Sequence, residues 1–173
     1  CALRPRCWAA VAVISSSHGG QPLHVTLVRG LLARAGIPES KLRCGPHPPM
    51  HGPSAIALVR AGEEPTALHN NCSGKHAAML IAAQILGASL DDYLDPSHPV
   101  QQRNRATLAR FAGVAPEAVG VAIDGCSAPT FVLSAARLAT AFSILMAPSA
   151  AAGGEAATWR RWMAAVAAEP VAY

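Results

Sequence analysis

Apolar residues at helical spacing, closed by proline or glycine at the ends, are the feature that most limits how this chain can fold. The clearest helix is predicted from Pro22 to Ala35, because proline suits a first helical turn and Gly36 suits the position after the last turn. Its apolar residues recur every three or four positions: Leu23, Leu27, Val28, Leu31, Leu32 and Ala35. A chain patterned in this way must bury several helices against one another.

The same signals predict further helices and leave room for only short strands. The predicted helices cover residues 54–61, 71–86, 99–111, 135–146 and 158–168. Short apolar runs at residues 8–14, 119–123 and 130–133 indicate strands, the first two of them buried, while residues 44–53 are loop and residues 147–154 a linker. The fold class is therefore α+β or α/β, in a single domain over residues 1–173.

Composition and charge argue against several classes of protein. Hydrophobic residues make up 51% and charged residues 14% of the chain, which argues for a packed globular unit and against disorder. The net charge of +4 is small, and the arginines are scattered, so a nucleic-acid partner is not expected. The longest apolar stretch, residues 135–152, is interrupted by Arg137, so we expect no membrane partner either.

Cysteine and lysine usage points to specific side chains. The five cysteines (Cys1, Cys7, Cys44, Cys72 and Cys126) do not form the dense pattern of a secreted disulfide framework, so a reducing, cytoplasmic location is predicted. The chain has twelve arginines but only two lysines, Lys41 and Lys75. Because only lysine readily loses its proton when buried or placed beside positive charge, each lysine is a candidate for chemistry.

Two segments place reactive side chains at the ends of predicted elements. If Asn71 caps a helix, Cys72 and Lys75 lie on one face of its first turn, where the helix N-terminus favours a thiolate and a neutral amine. Asp124 and Cys126 follow a predicted strand, so Cys126 could complete a metal site with Cys72 and Lys75. The alternative remains open that both cysteines are small buried hydrophobic residues, since their spacing forms no zinc motif.

Five segments together carry a resemblance to a known family: residues 17–25, 44–47, 61–65, 69–76 and 124–126. The most specific is the string Asn-Asn-Cys-Ser-Gly-Lys-His at residues 70–76. In residue types, order and spacing they resemble the Rhizobium-type L-asparaginases, often called asparaginase II. The resemblance spans nearly the whole chain.

The resemblance implies a fold, a reaction and a site. The fold would be similar to glutaminases and serine β-lactamases, incomplete at both ends. The reaction would be hydrolysis of the L-asparagine side-chain amide by acyl transfer from a lysine-activated serine, and the family allows a homodimer. The resemblance assigns catalytic roles to Ser17 and Lys75 and zinc coordination to Cys72, Lys75 and Cys126. Residues implied in the second shell or at the substrate are His18, Asn71, Ser73, His76 and Asp124.

The chain departs from the family in its lysines. The Ser-x-x-Lys motif of the family occurs nowhere in the sequence, and neither does the lysine of its glycine-rich downstream segment. We therefore expect a fragment of a larger asparaginase-like domain. The rival hypotheses are a zinc-binding remnant that has lost catalysis, and a thiol-reactive protein that uses Cys72 as its nucleophile.

Overall fold

The computed structural model describes residues 5–147 and 155–168. Nearly all of the linker predicted at residues 147–154 lies outside these residues. The described elements, in chain order, are α1 (Pro5–Ser15), α2 (Pro22–Ala35), α3 (Gly52–Arg60), α4 (Ser73–Ile85), α5 (Pro99–Ala112), β1 (Gly120–Ile123), β2 (Pro129–Val132), α6 (Ala135–Met146) and α7 (Glu155–Ala168). The helix-rich, mixed composition is compatible with the predicted α+β class.

Helices with clear end signals form where they were predicted. Helix α2 starts at Pro22 and stops before Gly36, whose φ of 67° is left-handed and whose N–H bonds the carbonyls of the last turn. Helix α6 follows Ser134, whose hydroxyl accepts a hydrogen bond from the backbone N–H of Arg137 at 3.4 Å. These helices were predictable because their caps are local in sequence.

The strand predicted at residues 8–14 is wrong, because this segment belongs to helix α1. A short apolar run cannot be assigned to helix or strand by periodicity alone, and tertiary packing decides. Here Ala12 and Val13 are fully buried, and α1 packs against both α2 and α4. Gly74, in the first turn of α4, lies against the backbone of Val13 in α1. Because glycine has no side chain, α1 and α4 can approach each other closely.

Strands β1 and β2 pair antiparallel, with Gly120 opposite Val132 and Ile123 opposite Pro129. Both strands lie close to their predicted positions. The predicted burial of β1 is wrong, since all four of its residues are exposed and only the preceding Val119 is fully buried. The sheet in the described residues has two strands, so it offers few neighbours to cover a strand on both faces.

The chain divides into two compact units. The first contains residues 1–91 and 165–173, and its core lies between α1, α2 and α4. The second contains residues 92–164, in which α5 packs on α6 and the core is built on Phe111, Ala112 and Ala141. In that core Trp159 meets Phe111 edge-on, with ring centroids 5.1 Å apart.

A membrane span was not expected, and within the two described ranges no helix combines the length and apolar character needed to cross a bilayer.

Candidate functional site

One group of predicted site residues, in the first unit, lies at the start of α4, where Cys72 is the N-cap residue. The expectation that Asn71 caps this helix is wrong. Asn70 sets the start instead: its side-chain oxygen accepts the N–H of Cys72 at 2.9 Å, and its backbone carbonyl accepts the N–H of Ser73 at 2.9 Å. Lys75 nevertheless falls in the first turn, as predicted.

Asn70 also ties this helix start to a distant loop. Its side-chain amide, in a residue only 6% exposed, donates to the carbonyl oxygens of Cys44 at 2.9 Å and Gly45 at 3.2 Å. The side-chain amide of Asn70 thereby joins three residues through the backbone groups of Cys44, Gly45 and Cys72. Sequence reasoning treated Asn70 only as a helix-start signal and missed this role.

Cys72 and Lys75 stand in an environment suited to metal-binding chemistry. Cys72, the N-cap of α4, is buried, and Lys75, three residues further on in the first turn, is half-buried. The unsatisfied amides and dipole of a helix N-terminus favour a thiolate and a neutral amine there. Lys41, the other lysine, is held in an ion pair with Asp91.

The segment that connects α1 to α2, residues 16–21, is called the serine loop here. Ser17 is exposed, whereas the next residue, His18, is only 3% exposed. The backbone N–H of His18 donates to the carbonyl of Asn71 at 3.1 Å, so the structure brings the serine loop against the start of α4. Two segments about 50 residues apart in sequence, both proposed for the site, therefore meet.

Hydrogen bonds define the ring state of His18. Its Nδ1 accepts the backbone N–H of Gly20 at 3.2 Å, so the proton of the neutral ring is on Nε2. Nε2 lies 3.0 Å from the Ser73 hydroxyl, which in turn donates to the carbonyl of Leu68 at 3.0 Å. Burial, and secondarily the nearby His24, lowers the pKa of His18 to about 4.

His24 supports the serine loop from α2, and the sequence offered no signal for this role. Its ring stacks on that of His18, with centroids 4.8 Å apart and planes at 23°. Its Nδ1 accepts the N–H of Gln21, and the Gln21 side chain accepts a backbone N–H of the first turn in return. This reciprocal cap holds the end of the serine loop to α2.

The turn between β1 and β2, in the second unit, carries a separate group of predicted site residues. Asp124 organises it: its N–H donates to the carbonyl of Ala128 at 2.8 Å, and its side chain accepts the N–H of Gly125 at 2.7 Å. Cys126 is 5% exposed, and its Sγ lies 3.6 Å from the second oxygen of Asp124. The predicted pairing of Asp124 with Cys126 at a strand end is thus present within this unit.

The other predicted site residues also lie on or beside α4. Asn71 is half-buried, and Ser73 and His76 are fully buried in the first turns of the helix. A cavity of about 500 Å³ lies between α2 and α3, with His69 and Gly20 on its wall. Ser17, Cys72 and Lys75 are not among its lining residues, so this cavity is separate from the predicted catalytic groups.

Comparison with known families assigns the class of this protein: it is an amidohydrolase-type enzyme. The family model described as L-asparaginase II matches residues 8–172, and the chain belongs to that family. The predicted resemblance is thereby confirmed. A search of curated proteins finds no match to the chain.

Proposed function

We propose that this protein hydrolyses the side-chain amide of L-asparagine to aspartate and ammonia. The observation that carries the proposal is the family match over residues 8–172, together with the family's most specific string at the start of α4. The contact between His18 and Asn71 supports it, because it sets an exposed serine beside that string.

Zinc is the cofactor that the candidate residues fit best. The resemblance assigns two thiols to the metal, those of Cys72 and Cys126, and neither is in a disulfide. Two thiolates with one nitrogen or oxygen donor form a set typical of zinc. We propose Cys72, Lys75 and Cys126 as the ligands. Asp124 would orient Cys126 through the contact between its carboxylate and the Cys126 thiol.

The reaction we propose is acyl transfer through Ser17. Its hydroxyl oxygen attacks the amide carbon of asparagine, ammonia leaves with a proton, and water then releases aspartate and regenerates the serine. Bound zinc would polarise or position the substrate. The serine proton ends on the leaving nitrogen, which departs as ammonia. Lys75 is our candidate to relay this proton, and it can do so only while its amine is not bound to zinc, because one lone pair cannot bind zinc and accept a proton at once.

The decisive assay measures ammonia and aspartate released from L-asparagine by the purified chain. Ser17→Ala should reduce kcat by about a hundredfold or more, since the nucleophile is removed. Ser16→Ala is the matched control, because Ser16 is the adjacent serine and is equally exposed. Equal activity of the two variants would eliminate Ser17 as the nucleophile.

Metal content tests the ligand set separately from catalysis. We expect roughly one zinc per chain, lost in Cys72→Ala and Cys126→Ala. Cys44→Ala is the control, because Cys44 is also buried and in no disulfide but lies near the carbonyl of Ala67. Zinc retained by Cys126→Ala would remove that residue from the proposed set.

A zinc-binding protein without hydrolase activity is the second candidate, because Lys75 cannot bind zinc and accept the serine proton at once. It predicts that the chain binds zinc and releases no ammonia. The single-domain organisation, the cytoplasmic location and the homodimer stay predictions. Cell fractionation and size-exclusion chromatography test the last two.

A further inference from the structure

His18 is the residue through which the serine loop is attached to α4. Its backbone N–H reaches Asn71, its Nε2 reaches Ser73, and its Nδ1 receives the N–H of Gly20. The hydroxyl of Ser73 in turn donates a hydrogen bond to the carbonyl of Leu68. The backbone of the serine loop packs tightly at Gly20, because a Cβ there would lie 2.5 Å from the carbonyl oxygen of His69.

We propose that His18 is a positioning residue, which holds Ser17 in place by anchoring the serine loop to the first turn of α4 through Ser73. The inference rests on the proposed function of Ser17. It extends that function by naming the contact that holds the serine loop to the first turn of α4.

The hydrogen bonds exclude the more familiar role of a histidine next to a serine. A general base must offer an unprotonated ring nitrogen to the hydroxyl of Ser17. Nδ1 of His18 already accepts the N–H of Gly20, and Nε2 holds its proton toward Ser73. Both nitrogens are engaged in the fold, so His18 acts on Ser17 through the backbone.

Three variants separate the hydrogen bond from the bulk of the ring. His18→Phe keeps a ring to stack on His24 and removes both side-chain hydrogen bonds. His18→Gln keeps an N–H near the position of Nε2. Ser73→Ala removes the acceptor. Ser54→Ala is the matched control, because it removes the partner of another histidine, His51, whose Nδ1 lies 2.8 Å from the Ser54 hydroxyl.

The first readout needs no activity. Nitrogen NMR of the imidazoles should find His18 neutral at pH 7.5, with its proton on Nε2. Amide hydrogen exchange at His18 and Gly20 should accelerate about five- to tenfold in Ser73→Ala, the effect of losing one buried hydrogen bond. Ser54→Ala should leave both amides unchanged. A proton on Nδ1, or unchanged exchange in Ser73→Ala, would overturn the proposal.

The second readout is the hydrolysis of L-asparagine. His18→Phe and Ser73→Ala should lower kcat with little change in KM, and His18→Gln should recover part of the loss. An unchanged kcat in His18→Phe despite faster loop exchange would refute a role in placing Ser17. If the unmodified chain releases no ammonia, the proposed function fails, and the exchange and NMR results still decide whether His18 anchors the loop.

Discussion

Replacing Gly74 by alanine should test the packing that brings the serine loop to α4. A Cβ at this position would collide with the backbone carbonyl of Val13 and lie 3.4 Å from the Cα of Ile14. Both obstacles are main-chain atoms of α1, so no side-chain rotation can relieve the clash. Helix α1 must move away, although its Ala12 and Val13 are fully buried.

The expected magnitude follows from two opposing effects. Overpacking of a tight interior typically costs about 1–3 kcal/mol, whereas alanine in a helix interior is favoured over glycine by about 0.5–1 kcal/mol. Gly30 supplies the control, because it lies within α2 and a Cβ there meets no atom within 4 Å. Gly30→Ala should stabilise the protein and Gly74→Ala should destabilise it. The helix-propensity gain is common to both variants, so the two free energies of unfolding should differ by the overpacking cost alone, about 1–3 kcal/mol.

Urea unfolding followed by circular dichroism measures this difference, which corresponds to a midpoint shift of about 1 M. Hydrogen exchange shows which helix is destabilised, since the amides of α1 should lose protection in Gly74→Ala and keep it in Gly30→Ala. Stability of Gly74→Ala equal to or above that of the unmodified chain would refute the close approach of α1 and α4. The placement of the serine loop would then need another explanation.

Three further predictions follow from individual contacts. His18 has a folded-state pKa of about 4, below its ordinary value of 6.5, so the unfolded chain binds the proton more readily between these values. The stabilisation that comes from keeping His18 neutral is complete above pH 6.5 and is lost as the pH falls toward 4, by up to about 3 kcal/mol. The free energy of unfolding of His18→Phe should therefore depend less on pH between 4 and 6.5 than that of the unmodified chain. Asn70→Asp keeps the acceptor for Cys72 but loses the two donated bonds, so thermal melting should report a loss of about 1–3 kcal/mol. If Asn70→Asp melts like the unmodified chain, Asn70 does not brace the loop at Cys44. Gly36→Ala should cost about 1 kcal/mol in urea unfolding because its φ is left-handed, and Gly36→Asn should cost less; equal stability of all three would argue against the left-handed cap.

Sequence reasoning succeeded where the information is local. Pro22 and Gly36 bound α2, and Ser134 caps α6, because each acts on backbone groups within one helical turn. The same locality explains why Lys75 was correctly placed in the first turn of α4, with Cys72 one position outside it as the N-cap. It also explains the error at residues 8–14, where three alanines and two valines suit either a buried helix or a strand.

Contacts across long stretches of sequence were beyond such reasoning. Nothing near His18 indicates that its ring will meet Ser73, which lies 55 positions away, and no local pattern marks Asn70 as a brace for Cys44. Family resemblance named His18 and Ser73 as site residues without saying what joins them. The hydrogen bond between them supplies that link.

Two small features of the first unit, Gly74 and His18, therefore both place the serine loop. Gly74 lets α1 approach α4, so that the chain leaves α1 next to the helix start that carries Cys72. His18 then fastens the serine loop there, and its burial coincides with the exposure of Ser17. Because each feature depends on the other, Gly74→Ala should impair loop anchoring as well as stability. Faster exchange at the His18 amide in Gly74→Ala, measured where the protein is still folded, would establish that coupling.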